Sequence, residues 1–134
     1  MTESGLPEDV RHFLSTHIRS VGELEVLLLL HRDPARWWTA EQVNRELKTS
    51  HQSALKHLED LRDGGLVQER RLADQEFRFH ASDPGLVPVV RTIDSLFKDW
   101  IASIVDVIYA PRGNSIRDFA EAFRLGKKGD PNDG

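Results

Sequence analysis

The stretch TAEQVNRELKTSHQSALKHLEDLRDGGLVQER, residues 39–70, decides the fold. Thr39 followed by Gln42 forms a capping box, in which each side chain meets a backbone N–H that the first helical turn leaves unpaired. A helix is expected from there to about Leu47. Only Lys48 and Thr49 separate it from Ser50, which suits the N-cap of a second helix. That helix carries Ala54, Leu55, Leu58 and Leu61 on one side and is expected to stop at Gly64-Gly65, where glycine tolerates the left-handed C-cap conformation. Beyond the glycines, residues 66–70 and 76–80 read as two strands joined by a polar connection, because Phe77 and Phe79 alternate with charged neighbours.

Upstream, Pro7 and the apolar residues Val10, Phe13, Leu14 and Ile18 predict a short helix over 8–18. Ser20 with Glu23 is a second capping box, and the run from Leu24 and Val26 to Leu30 is apolar around most of a helix, as a central core helix would be. Asp33-Pro34 stops it. Arg36, Trp37 and Trp38 make a β-favouring step, in which at least one tryptophan is expected to pack inward and an exposed one would offer a patch for a partner.

Downstream, Leu86, Val90, Ile93, Phe97, Trp100, Ile104 and Ile108 recur at steps of three and four, which predicts one long helix over 86–109. Such a helix would run about 35 Å, longer than the small domain before it can cover. Its surplus apolar face therefore calls for a second copy of the chain. Pro111, Gly113 and Asn114 end it. Ser115 with Asp118 opens a last amphipathic helix to Leu125, with Ile116, Phe119, Ala120 and Phe123 on one side. This helix is expected to fold back on its own dimer, or else to contact a partner protein or a membrane surface. The chain thus divides into a flexible start (1–6), a first domain (7–82), a C-terminal helical region (83–125) and a polar tail (126–134).

At 134 residues, with 39% hydrophobic and 30% charged residues, the chain is long enough for one soluble core. It contains no cysteine, which excludes disulfides and thiolate chemistry and fits a reducing compartment, so a cytoplasmic location is expected. No targeting segment is read at the start, and no apolar run reaches the roughly 20 residues a membrane-spanning helix needs. A net charge of -4 means that any contact with nucleic acid must be local. The six histidines show no close pair with a carboxylate companion, so no metal is expected. No phosphate loop or nucleophile arrangement appears, so neither an enzyme nor a cofactor is expected.

With Thr39 entering the first helix of the pair, small Ala54 beside Leu55 and Leu58 in the second, and LRDGGLV leading into a strand, residues 20–80 resemble the winged helix-turn-helix domains of bacterial regulators such as the MarR, PadR and ArsR families. The fold class this implies is mainly α with a small β-hairpin: a winged helix-turn-helix domain plus a long C-terminal dimerisation helix. The resemblance further implies a homodimeric transcription regulator that sets the helix over 50–62 into the major groove of double-stranded DNA. Gln52 then suits adenine, Lys48, Ser50 and Lys56 suit phosphates, and His51, Ser53 and His57 lie beside them. Arg70, Arg71 and Arg78 on the wing suit phosphate or a minor groove. The same residues also fit a solvated helix face and a hairpin held by cross-strand ion pairs, since Glu69, Asp74 and Glu76 sit among the arginines. Leu86, Val90, Ile93, Phe97, Trp100, Ile104 and Ile108 would form the dimer seam, and the MarR resemblance leaves room for an effector pocket near Trp100. A winged-helix module that binds another protein through its wing or last helix is the alternative.

Overall fold

A computed structural model describes residues 5–111, arranged around the most enclosed helix. Helix α2 (Val21–His31) buries Leu24, Val26, Leu27, Leu28 and Leu30. A helix apolar around most of its girth must be covered on several sides. Helices α3 (Ala40–Leu47), α4 (His51–Asp63) and α5 (Val87–Leu96) pack on it, together with strand β2 (Gln75–Phe79). Helix α1 (Glu8–His17) buries Val10, Phe13 and Leu14 and lies against α5 and α6 (Ile101–Tyr109). The described residues are mainly helical with one small hairpin, in which β1 (Val67–Arg71) pairs antiparallel with β2.

The capping residues set the starts of the helices. Thr39 Oγ1 accepts from the Gln42 N–H at 3.1 Å while Gln42 Oε1 accepts from the Thr39 N–H at 3.0 Å, completing the box before α3. Ser50 Oγ accepts from the Ser53 N–H at 3.0 Å. At α2 the box is altered. Ser20 Oγ accepts from the Glu23 N–H, but the Glu23 carboxylate reaches past Ser20 to accept from the Arg19 N–H, both at 3.1 Å. Of the glycine pair after α4, Gly65 takes the left-handed conformation (φ 80°) and Gly64 does not (φ -84°). Lys48, between α3 and α4, is also left-handed (φ 55°, ψ 50°), which costs a residue with a Cβ about 1 kcal/mol.

In the hairpin, Val67 faces Phe79 and Glu69 faces Phe77. Alternation sends Val67, Phe77 and Phe79 into the core and Gln68, Arg70, Glu76 and Arg78 to the outer side. Trp38 adds one rung beside β2, donating to the Phe77 carbonyl at 2.7 Å and accepting from its N–H at 2.8 Å. Trp38 is buried at 3% exposure while Trp37 is half-buried, as period two requires of neighbours in extended chain.

The single helix expected over 86–109 is not what the chain forms. A 3-10 turn at Pro84–Leu86 leads into α5, and a turn at residues 97–100 separates α5 from α6. The turn lets both halves lie against α1. Val90, Ile93, Ile104 and Ile108, four of the expected seam residues, are buried in the core of one chain. Leu86 and Phe97 are half-buried against that core, and Trp100 is 39% exposed with its ring over Gly5. The surplus face inferred from one straight rod is thus largely absorbed by folding the rod. Among the described residues no helix is long and apolar enough to cross a membrane. The last expected helix, 115–125, lies outside the described residues.

Candidate nucleic-acid interface

Helix α4 turns Ala54, Leu58 and Leu61 into the core and so leaves the other side of its first two turns outward. His51, Gln52, Ser53 and Lys56 are exposed, as are Lys48 and Ser50 just before them. No carboxylate occurs in residues 48–57. The N-terminal end of a helix carries unpaired N–H groups and a partial positive charge, which favours an anion there. Nearby acids nevertheless reach part of this surface. His51 Nδ1 lies 3.5 Å from Glu41 Oε1, and Lys56 Nζ lies 3.1 Å from Asp60 Oδ2, one turn on.

His57 is not part of the outward surface. Its ring packs on α2 at Gly22, where a Cβ would come within 2.9 Å of Nε2, so the two helices approach closely because residue 22 has no side chain. Burial lowers the pKa of this imidazole, against the opposing pull of Asp60. Among the residues expected to meet DNA, His57 is therefore placed at a helix–helix contact.

The hairpin arginines are each engaged. Arg70 Nε donates to Glu76 Oε1 at 2.8 Å, and Arg78 Nε donates to Gln68 Oε1 at 3.1 Å. Both guanidiniums also lie over Trp37, 4.2 and 4.6 Å from the ring centroid. Arg71 is exposed, with Glu69 3.7 Å away. Glu69 is held mainly by Arg62 at 2.5 Å, and that bond keeps its carboxyl below the usual range. Trp37 is the residue sequence reading left out of this set. Its signal was available: strand alternation places it opposite Trp38, on the same outer side as Arg78.

Between the starts of α3 and α4 and the hairpin tip lies an open cleft of about 330 Å³, lined in part by Glu41, His51, Leu55, Asp74 and Gln75. It joins the outward side of α4 to the hairpin, but it brings Glu41 and Asp74 to the same place. No group of three or more residues suited to hold a metal ion occurs among the described residues. Comparison of the chain with family models, with curated proteins and with solved structures returned no match.

Proposed function

We propose that the protein is a sequence-specific DNA-binding transcriptional regulator, built on a winged helix-turn-helix domain in which α3 and α4 are the helix pair and β1–β2 the wing. The observation that carries this reading is the outward N-terminal half of α4, where Ser50 caps the helix and His51, Gln52, Ser53 and Lys56 stand exposed. A helix presented this way fits the major groove, with Gln52 reading adenine and Lys48, Ser50 and Lys56 against phosphate. Arg71 is the hairpin arginine most open to a phosphate; Arg70 and Arg78 would have to leave Glu76, Gln68 and Trp37 or act from where they are. Two copies, each supplying one α4, would read successive half-sites of a near-palindromic operator in the cytoplasm. Their seam must lie outside Val90, Ile93, Ile104 and Ile108, which are core.

The test is selection of genomic DNA fragments on the purified protein at near-physiological salt, repeated with Gln52→Ala and Lys56→Ala combined. A palindromic motif that is enriched by the native chain and lost by the double variant is the expected result, with each lost base contact worth about 1–3 kcal/mol. No enriched motif, or a motif the double variant keeps, overturns the assignment. A second reading, a winged-helix module that binds a protein, is favoured by Glu41 and Asp74 in the cleft beside α4 and by the acidic partners of the wing arginines. It predicts a stoichiometric partner and no steep fall of affinity with salt, whereas DNA binding requires that fall.

A further inference from the structure

Helix α6 is apolar on the side that faces away from the core as well as on the side that faces it. Ile104 and Ile108 are buried, whereas Ile101 and Tyr109 are 37% and 57% exposed. With 3.6 residues per turn, Ile101, Ala102, Val105 and Tyr109 share the outward side. Asp106 is the single charged residue in 100–110. Where this side meets the turn after α5, a groove of about 410 Å³ opens, lined by Phe97 and Ile101 and rimmed by Arg32, Asp94 and Lys98.

The sequence after α6 supplies a matching stripe. Pro111, Gly113 and Asn114 suit a tight reversal, and Ile116, Phe119, Ala120 and Phe123 follow at helical spacing. We propose that residues 115–125 form a helix that returns antiparallel along α6 and covers its outward side, placing Ile116 between Val105 and Tyr109 and Phe123 in the groove beside Phe97 and Ile101. The lengths agree: Ile116 to Phe123 spans about 10 Å of helix and Ile101 to Tyr109 about 12 Å. A connection over 110–114 is within the usual range of about 2–8 residues between packed antiparallel helices. Charge selects the register. Asp99 and Asp106 are exposed and seven positions apart, as are Arg117 and Arg124 in sequence, so one antiparallel alignment faces Arg117 with Asp106 and Arg124 with Asp99. That alignment also brings Ala120 level with Ala102 and Ser103, where small residues let helices approach.

Because the chain has no cysteine, a pair can be introduced without background. In Ala102→Cys combined with Ala120→Cys, mild oxidation should form a disulfide within one chain, at a rate unchanged over an about tenfold dilution, as an intramolecular step requires. Ala73→Cys with Ala120→Cys, which pairs the segment with the hairpin loop, should not close. Adding Arg117→Glu and Arg124→Glu should slow closure several-fold, and adding Asp99→Arg and Asp106→Arg to that variant should restore it. A disulfide that joins two chains and speeds up with concentration would overturn the proposal in favour of a second copy as the cover. Failure to close in the folded protein, checked by an unchanged unfolding temperature, would overturn it outright.

Discussion

Helices α2 and α6 are the two most apolar segments of the chain, yet they are used in opposite ways. Helix α2 buries residues on nearly all sides, whereas α6 buries Ile104 and Ile108 and leaves Ile101, Ala102 and Tyr109 open. The reason is position rather than composition. Helix α2 lies where α3, α4, α5 and β2 meet, while α6 follows the final turn of the described chain and reaches α1 from outside. A run of apolar residues therefore states that a cover is needed without stating which element provides it.

The largest effect expected from this contrast is in α2. Leu27 is fully buried, so Leu27→Ala should destabilise the protein by about 3–5 kcal/mol, read as a lowered midpoint in urea unfolding at unchanged slope. A loss under about 2 kcal/mol would mean that the surrounding helices collapse into the space, and α2 would then be less of a centre than its enclosure suggests. A smaller effect is expected at Ile101, on the outward side of α6. If residues 115–125 cover that side, Ile101→Ala should cost about 1–2 kcal/mol, while a bare surface position should stay within about 0.5 kcal/mol. This measurement decides whether the contrast between the two helices belongs to the whole protein or only to residues 5–111.

The same contrast explains what could be read in advance. The starts of α2, α3 and α4 were legible because Ser20, Thr39 and Ser50 signal caps by local chemistry alone. The hairpin was legible because Phe77 and Phe79 alternate with charges. The break at 97–100 was not, since neither proline nor glycine marks it. Its trace was Lys98-Asp99, two charges inside an apolar stripe that otherwise continues in phase. On the candidate interface, exposure of His51, Gln52, Ser53 and Lys56 followed from the stripe of Ala54, Leu58 and Leu61, but the burial of His57 did not. It depends on Gly22 of another helix, and periodicity within α4 carries no information about that neighbour.

The two helices also touch directly. Tyr109, the last residue of α6, accepts a hydrogen bond through its hydroxyl from the Val21 N–H at the start of α2, at 3.0 Å. The first N–H groups of a helix have no partner inside it, so this bond closes one of them and ties the rim helix to the central one. Because the bond is exposed, Tyr109→Phe should cost only about 0.5–1 kcal/mol. The informative readout is coupling. In a double-mutant cycle with Ile104→Ala, an interaction energy above about 0.5 kcal/mol would show α6 docking as one unit, and additivity would show the hydroxyl acting alone.

The smallest effect expected is a dependence on pH, and it arises at three half-buried histidines. Burial lowers the pKa of His57, which packs on Gly22 of α2, and likewise that of His31 in α2 and His17 in α1, all from an ordinary value of 6.5. In each case the folded protein holds the proton less tightly than the unfolded chain, so the stabilisation present above pH 6.5 is lost as pH falls from 6.5 towards the lowered values. Glu23 acts in the opposite sense. Burial raises its carboxyl from 4.5, so the folded state takes up that proton before the unfolded chain does, and this group adds stability as pH falls from the raised value towards 4.5. The Tm should therefore be lower at about pH 5.5 than at about pH 7.5, and His57→Asn should flatten that difference even where it lowers Tm at both values. An unchanged difference would assign the pH dependence to His31, which faces Asp94 of α5, and to His17 in α1, rather than to the contact of α2 with α4.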